Sequence, residues 1–143
     1  MEQTLAIIKP DAFARGLTGR ILAHLEEDGF RIRGIRTLRL SEAQAAEFYA
    51  VHKERPFFTS LVRFMTSGPC VPVLLERENA VARLREVIGA TDPAEAASGT
   101  IRALYAESKE RNVIHASDAV ETARREIAFF FAAADVLETG VTG

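Results

Sequence analysis

The chain has 143 residues, 48% of them hydrophobic and 27% charged, with a formal net charge of -2. That length fits one domain able to bury roughly 68–70% of its unfolded surface. The balance is that of an ordinary globular protein and argues against a dedicated nucleic-acid binder, which carries a basic excess. There is one cysteine, so an internal disulfide is excluded, and no stretch approaches the ~20 apolar residues of a membrane span.

Thr4-Leu5-Ala6-Ile7-Ile8 reads as a short apolar strand that Lys9-Pro10-Asp11 terminates. Thr18 to Asp28 is a predicted helix, with Ile21, Leu22 and Leu25 on one face and Gly29 placed to close it. Phe30 to Leu40 alternates as a strand with one wet face, and a break of phase at Ile35 and Arg36 predicts a bulge near Gly34. Ser41 and Gln44 form a capping-box signature for a helix to about His52, and Pro56 separates it from a second short helix.

Cys70 to Leu75 is a continuous apolar run, expected as a central strand with Cys70 as a small buried residue. Asn79 is placed to cap a helix that ends at Ile88 and Gly89. Ala90 to Arg111 is irregular, with a short helical stretch around Ala103, and so long a segment suggests a functional loop. Asp118 and Glu121 predict a capped helix to about Phe131, and Val136 with its neighbours a last strand. Stripped of the extra helices the order is β-α-β-β-α-β. That is an α+β, ferredoxin-like fold with helices on one face of an antiparallel sheet. It is expected as a single domain over residues 1–137 with a loose tail at 138–143.

The stretch Asn112-Val113-Ile114-His115-Ala116-Ser117-Asp118 sets a histidine at the mouth of that last predicted helix. A helix N-terminus disfavours imidazolium and suits a phosphate. Neutral imidazole is the nucleophilic form. Read alone, an ordinary turn histidine before a capped helix is the commoner explanation. Lys9, Arg85 and Arg102 lie near breaks in the backbone; converging, they would hold a polyphosphate, and separately they are surface charges. Tyr49 and Phe57 flank the Lys53-Glu54-Arg55-Pro56 turn and are either ligand contacts or core aromatics. Glu126 lies further along the helix that follows His115, where it is either an orienting carboxylate or a surface charge. No Walker-type or Gly-x-Gly-x-x-Gly motif is present, and the histidines lack metal-ligand spacing. Any metal would be magnesium carried in on phosphates, with one protein carboxylate at most.

From end to end the chain resembles nucleoside diphosphate kinases. Asn112-x-x-His115-Ala116-Ser117-Asp118 is similar to the family's Asn-x-x-His-Gly-Ser-Asp signature. Ile7-Ile8-Lys9-Pro10-Asp11, Phe48-Tyr49, His52 through Arg55-Pro56-Phe57-Phe58, Met65-Thr66-Ser67-Gly68-Pro69, Gly89-Ala90-Thr91-Asp92-Pro93 and Gly99-Thr100-Ile101-Arg102 follow the family in order and spacing.

The resemblance implies ping-pong transfer of the γ-phosphate of a nucleoside triphosphate to a nucleoside diphosphate through a phosphohistidine on His115, with broad base and sugar specificity. It implies that Glu126 orients the ring, that Ser117 belongs to the catalytic motif, and that Lys9, Arg85, Thr91 and Arg102 bind phosphates with Tyr49 near Lys9. Asn112 would bind the ribose 3′-hydroxyl and Phe57 would stack on the base. Mg²⁺ would bridge the β- and γ-phosphates, with Asp118 holding it through water. It further implies a homo-oligomer built from dimers, a tetramer rather than a hexamer. A cytoplasmic location is expected, since the N-terminus lacks a signal-peptide pattern.

The chain departs from the family at Ala116, where the family has glycine. A left-handed backbone there would cost alanine roughly 1–2 kcal/mol, and a negative φ would make it harmless. Lys109 lies in the stretch that approaches the base in the family. Two rival expectations remain: a phosphohistidine relay to protein acceptors, and a catalytically impaired nucleotide-binding module.

Overall fold

The computed structural model describes residues 1–132 and Ala134. Four strands form one antiparallel sheet: β1 (Glu2–Ile8), β2 (Arg31–Ile35), β3 (Val71–Arg77) and β4 (Ile114–Ala116), in the spatial order β2-β3-β1-β4. This is the strand order of the ferredoxin-like arrangement. The apolar runs at Leu5–Ile8 and Val71–Leu75 become the two central strands because they are buried on both faces. They pair over their full length, from Glu2 opposite Arg77 to Ile8 opposite Val71.

The fold differs from the expectation in having helices on both faces of the sheet. Residues Ala6, Ile8, Val71, Val73 and Leu75 point to one face. There they meet Ile21 and Leu25 of α2 (Thr18–Glu27) and Leu84 and Val87 of α5 (Ala80–Ile88). Leu5, Ile7 and Leu74 point to the other face. That face is covered by α3 (Glu42–Phe48), α4 (Phe58–Met65) and α7 (Val120–Phe130) through Ala45, Phe48, Val62, Met65 and Phe130. Period-two burial of both parities is therefore real here, and the extra helices supply the second layer.

Local signals held where they rest on side-chain chemistry. Ser41 Oγ accepts from Gln44 N–H at 3.1 Å and Gln44 Oε1 accepts from Ser41 N–H at 2.9 Å, the reciprocal box expected for α3. A 3₁₀ turn at Ala50–His52 follows. The β2–β3 register slips between Ile32 and Gly34, placing the bulge where the alternation broke. Two short helices refine the expectation. Pro10 opens α1 (Pro10–Ala14), since proline at the first helical position gives up no needed N–H. Thr100 caps α6 (Ile101–Tyr105), accepting from Ala103 N–H at 3.3 Å.

Two local expectations are corrected. Asn79 occupies the cap position of α5 but in a left-handed conformation (φ 53°), with no side-chain capping bond. The segment holding His115 is strand β4 and not a helix mouth: α7 begins only at Val120, and neither Asp118 nor Glu121 makes a capping box. Tertiary pairing overrides the local signal, because Ile114, His115 and Ala116 lie opposite Ile8, Ile7 and Ala6, and Ser117 N–H donates to Leu5 C=O at 3.0 Å. The strand expected around Val136 and the tail at 138–143 lie outside the described residues. Among the described residues no helix is long and apolar enough to cross a membrane.

Candidate active site

His115 sits mid-way along β4, an edge strand, so its position is set by the sheet. Its Nε2 lies 2.8 Å from Glu126 Oε1, and Ser117 Oγ donates to the same oxygen at 2.7 Å. Burial pushes the Glu126 carboxyl up, but the hydrogen bond and charge of His115 and the bond from Ser117 more than offset this and hold it below the usual range. An ionised Glu126 only accepts, so the proton of the His115 ring resides on Nε2 and Nδ1 carries the lone pair. Phe48 and Tyr49 stand edge-on to the ring, at 5.5 and 6.1 Å between centroids, and restrict its rotation.

His115 opens onto a cavity of about 690 Å³, the size of a small-molecule site. Every residue expected to bind substrate lines it: Lys9, Phe57, Arg85, Thr91, Arg102 and Asn112. So do His115, Tyr49, Glu126 and Asp118, while Ser117 stands behind through its bond to Glu126. These residues come from both ends and the middle of the chain, and the topology brings them together.

Two groups of the cationic wall, Lys9 and Arg102, are buried, while Arg85 on α5 is exposed. Lys9, at the end of β1, is 7% exposed and donates from Nζ to Asn112 Oδ1 at 2.8 Å. Burial, with the charge of Arg102, lowers its ammonium to about 8. Arg102 on α6 donates to Gly89 C=O at 3.0 Å and to Ile114 C=O at 2.7 Å, and burial with Arg85 nearby lowers it to about 10. Like charges crowded out of water are unfavourable until an anion joins them. Arg102 Nε and the Tyr49 hydroxyl are buried without a hydrogen-bond partner, and both side chains border the cavity. Burial raises the Tyr49 hydroxyl, which stays protonated and able to donate. Gly89 (φ 88°) permits the close approach on which Arg102 depends: a Cβ there would lie 2.5 Å from Thr100 Oγ1.

Asn112 is oriented by its amide, which donates to Lys109 C=O at 2.8 Å. The next residue, Val113, has φ 67°, and Ile114 N–H donates back to Asn112 C=O at 2.8 Å, a γ-turn of the strained hand. A β-branched residue held there stores about 1–3 kcal/mol. The outer lip of the cavity carries Phe57, 43% exposed, with the Arg55 guanidinium 5.8 Å from its ring centroid and His52 tilted against it.

Ala116 has no positive φ and belongs to β4, so the alanine is harmless to the backbone. Among the described residues no group of three or more His, Cys, Asp or Glu is placed to hold a metal. The donor set fits a cation that arrives on phosphates, with the exposed Asp118 in the cavity wall as a single carboxylate.

Sequence reasoning missed several wall residues. Thr122 and Arg125 share α7 with Glu126, and the i, i+4 spacing from Thr122 to Glu126 was a legible signal. Phe48 lies in the Phe48-Tyr49 motif match, whereas Val51, Leu61 and Glu110 had no comparable cue, because their contacts with the cavity depend on how α4, the turn after α3 and the loop before β4 pack.

Comparison with known proteins agrees with this geometry. The family model described as nucleoside diphosphate kinase matches residues 2–136. The nucleoside diphosphate kinase of Chlorobium chlorochromatii is 55% identical over 139 residues, covering 97% of this chain and 99% of the relative. That of Desulfatibacillum aliphaticivorans is 58% identical over 131 residues, covering 92% and 95%. The crystal structure of the Aquifex aeolicus enzyme superposes with a TM-score of 0.93 at 47% identity, covering 95% of this chain and 99% of that one. A halophilic enzyme from Halobacterium salinarum in complex with CDP superposes with a TM-score of 0.93 at 39% identity, covering 98% and 93%. With its signature histidine, carboxylate and cationic wall in one cavity, the chain belongs to the nucleoside diphosphate kinase family.

Proposed function

We propose that this chain moves the γ-phosphate of a nucleoside triphosphate onto a nucleoside diphosphate in two half-reactions through phosphorylated His115. The observation that carries this is the His115–Glu126–Ser117 arrangement, which leaves Nδ1 as the attacking nitrogen beside the cationic wall of Lys9, Arg85 and Arg102. In the first half-reaction the Nδ1 lone pair forms a bond to the γ-phosphorus as the bond to the β-bridging oxygen breaks. The diphosphate then leaves. A terminal oxygen of the acceptor diphosphate reverses these steps, and His115 returns to neutral.

Phosphoryl transfer is governed by positioning and charge stabilisation. Lys9, Arg85 and Arg102 meet the phosphate oxygens, with Thr91 and the Tyr49 hydroxyl as neutral donors. Asn112 is positioned for a sugar hydroxyl. Phe57 offers a stacking face, which tolerates any base because every base has a π-face. Glu126 holds the Nε2 proton and stabilises the ring as it gains positive character. The family generally uses Mg²⁺, which when bound supplies further charge neutralisation on the β- and γ-phosphates; Asp118 would hold it through water.

The protomer is inferred to assemble as a tetramer built from dimers. Among the described residues no strand pairs with the outer edge of β2, and that edge, with Ile35 47% exposed, is a surface suited to burial by another copy. A cytoplasmic location is proposed with it, and the buried free thiol of Cys70 suits a reducing compartment.

The test is γ-labelled ATP with Mg²⁺ and no acceptor, followed by a GDP chase, with His115→Ala as control. Acid-labile, alkali-stable label that needs His115 and passes to GDP is expected. Label that forms but never leaves for GDP would favour a relay to protein acceptors. No label would sink the enzyme.

A further inference from the structure

The mechanism leaves one buried ionisable group behind the site unused. Asp11 is 5% exposed, lies in the first turn of the five-residue α1, and lines no part of the cavity. Burial pushes its carboxyl up, so its location is unfavourable unless something is gained from it. A helix-opening acid needs no burial, since it acts as well at the surface.

What Asp11 does reach is the strained turn. Its Oδ2 accepts from Val113 N–H at 3.2 Å, across 102 positions of the chain. The Val113 carbonyl is held from the same side, accepting from Lys9 N–H at 2.9 Å. Both polar groups of Val113 are thus gripped by the segment Lys9–Asp11, directly after β1. Through this turn the chain reverses between Asn112, whose Oδ1 accepts from Lys9 Nζ, and Ile114, which enters register opposite Ile8. His115 is the next residue. Without an acceptor, Val113 would have a buried unsatisfied N–H, and only the Lys9 N–H and the bond closing the turn would be left to hold its left-handed φ. Relaxing to a negative φ would swing Asn112 off Lys9 and disturb the entry into β4.

We propose that Asp11 is a positioning residue for phosphoryl transfer: its buried carboxylate holds the Val113 turn and so fixes Asn112 and His115 relative to Lys9. This rests on His115 being the nucleophile. Asp11 touches no reacting atom; it acts through the backbone of Val113.

The experiment compares wild type, Asp11→Leu, Asp11→Asn and Asp11→Leu/Val113→Gly. Leucine keeps the branching of aspartate but is bulkier and offers no acceptor, and asparagine is nearly isosteric and keeps one. Phosphohistidine formation from γ-labelled ATP and Mg²⁺ is followed by rapid quench at pH 7, normalised to the sites labelled at completion, with thermal unfolding measured alongside. Misplacement of a reacting group by about 1 Å costs on the order of 100-fold, so Asp11→Leu is expected to slow labelling per active site by roughly 10- to 100-fold. Asp11→Asn is expected within about threefold of wild type, because one hydrogen bond is retained. Val113→Gly is expected to recover part of the loss, since glycine adopts the positive φ without strain.

A residue that merely stabilised the fold would lower the midpoint and the number of labelled sites but not the rate at each site. Wild-type rate per site in Asp11→Leu would overturn the proposal, and so would Asp11→Asn as slow as Asp11→Leu. Failure of wild type itself to label would instead overturn the assignment of His115.

Discussion

Replacing Glu126 by glutamine removes one negative charge and almost no volume. In the native site one oxygen, Oε1, serves both His115 Nε2 and Ser117 Oγ, at 2.8 and 2.7 Å. A hydrogen bond to a charged partner is worth about 1.5–3 kcal/mol, against roughly 1 for a neutral one. The charge strengthens further in the transition state, where the ring gains positive character. If the full charge-assisted bond is forfeited there, the rate falls by roughly 10- to 150-fold, at about 1.4 kcal/mol per factor of ten. If the amide turns its NH₂ toward the imidazole, the proton is driven to Nδ1 and the loss is larger still. The assay is rapid-quench phosphohistidine formation at saturating ATP, with Ser117→Ala run beside it. Ser117→Ala should show a smaller loss, because Glu126 retains its bond to His115. A Glu126→Gln rate within twofold of wild type would refute the assignment of tautomer and the choice of Nδ1 as nucleophile.

Lys9 predicts opposite pH trends for activity and stability. Its ammonium titrates near 8 in the fold against 10.5 ordinarily, so kcat/KM should fall as pH rises through about 8. Between 8 and 10.5 the unfolded chain binds more protons at this residue than the folded one, so its contribution to stability increases over the same window. A pH–rate profile and urea unfolding at matched pH check both signs; an alkaline limb unchanged in Lys9→Arg would remove Lys9 as its source. Ala116→Gly should leave the rate unchanged and cost about 0.5–1 kcal/mol of stability, because the strand is better served by alanine. A severalfold gain in rate would show instead that the methyl group crowds the phosphate on His115.

The sequence made the core and the capping chemistry legible because both are local in their physics. The continuous apolar run at Val71–Leu75, short and preceded by the Ser67-Gly68-Pro69 turn, reads as a doubly covered strand, and Ser41 with Gln44 specifies a helix start by side-chain bonds alone. The bulge by Gly34 showed as a slip in alternation. Strand β4 was illegible for the opposite reason. Three residues carry no periodicity, and what makes them a strand is the edge of β1, provided by residues more than a hundred positions away. The same pairing moved His115 from a helix mouth to a sheet edge. Its lone pair is directed by a carboxylate bond and not by a helix dipole. The residues that meet in the cavity were nameable from the motif resemblance. Their partners were not: Gly89 and Ile114 as acceptors for Arg102, and the turn at Val113, arise only when distant segments close on one another.

Lys9 lies at the end of the first strand and Glu126 in the last described helix, and in the proposed mechanism the nucleophile needs both. A chain still being synthesised can present His115 with much of the sheet in place, yet its ring is undirected until α7 has emerged and docked against β1. Phosphorylation competence should therefore switch on late and abruptly during synthesis. Truncated products ending before Glu126 would be inert toward triphosphates even where they are compact. The enzyme is in this sense timed by its own connectivity, because chain order places the group that arms the histidine after the histidine itself.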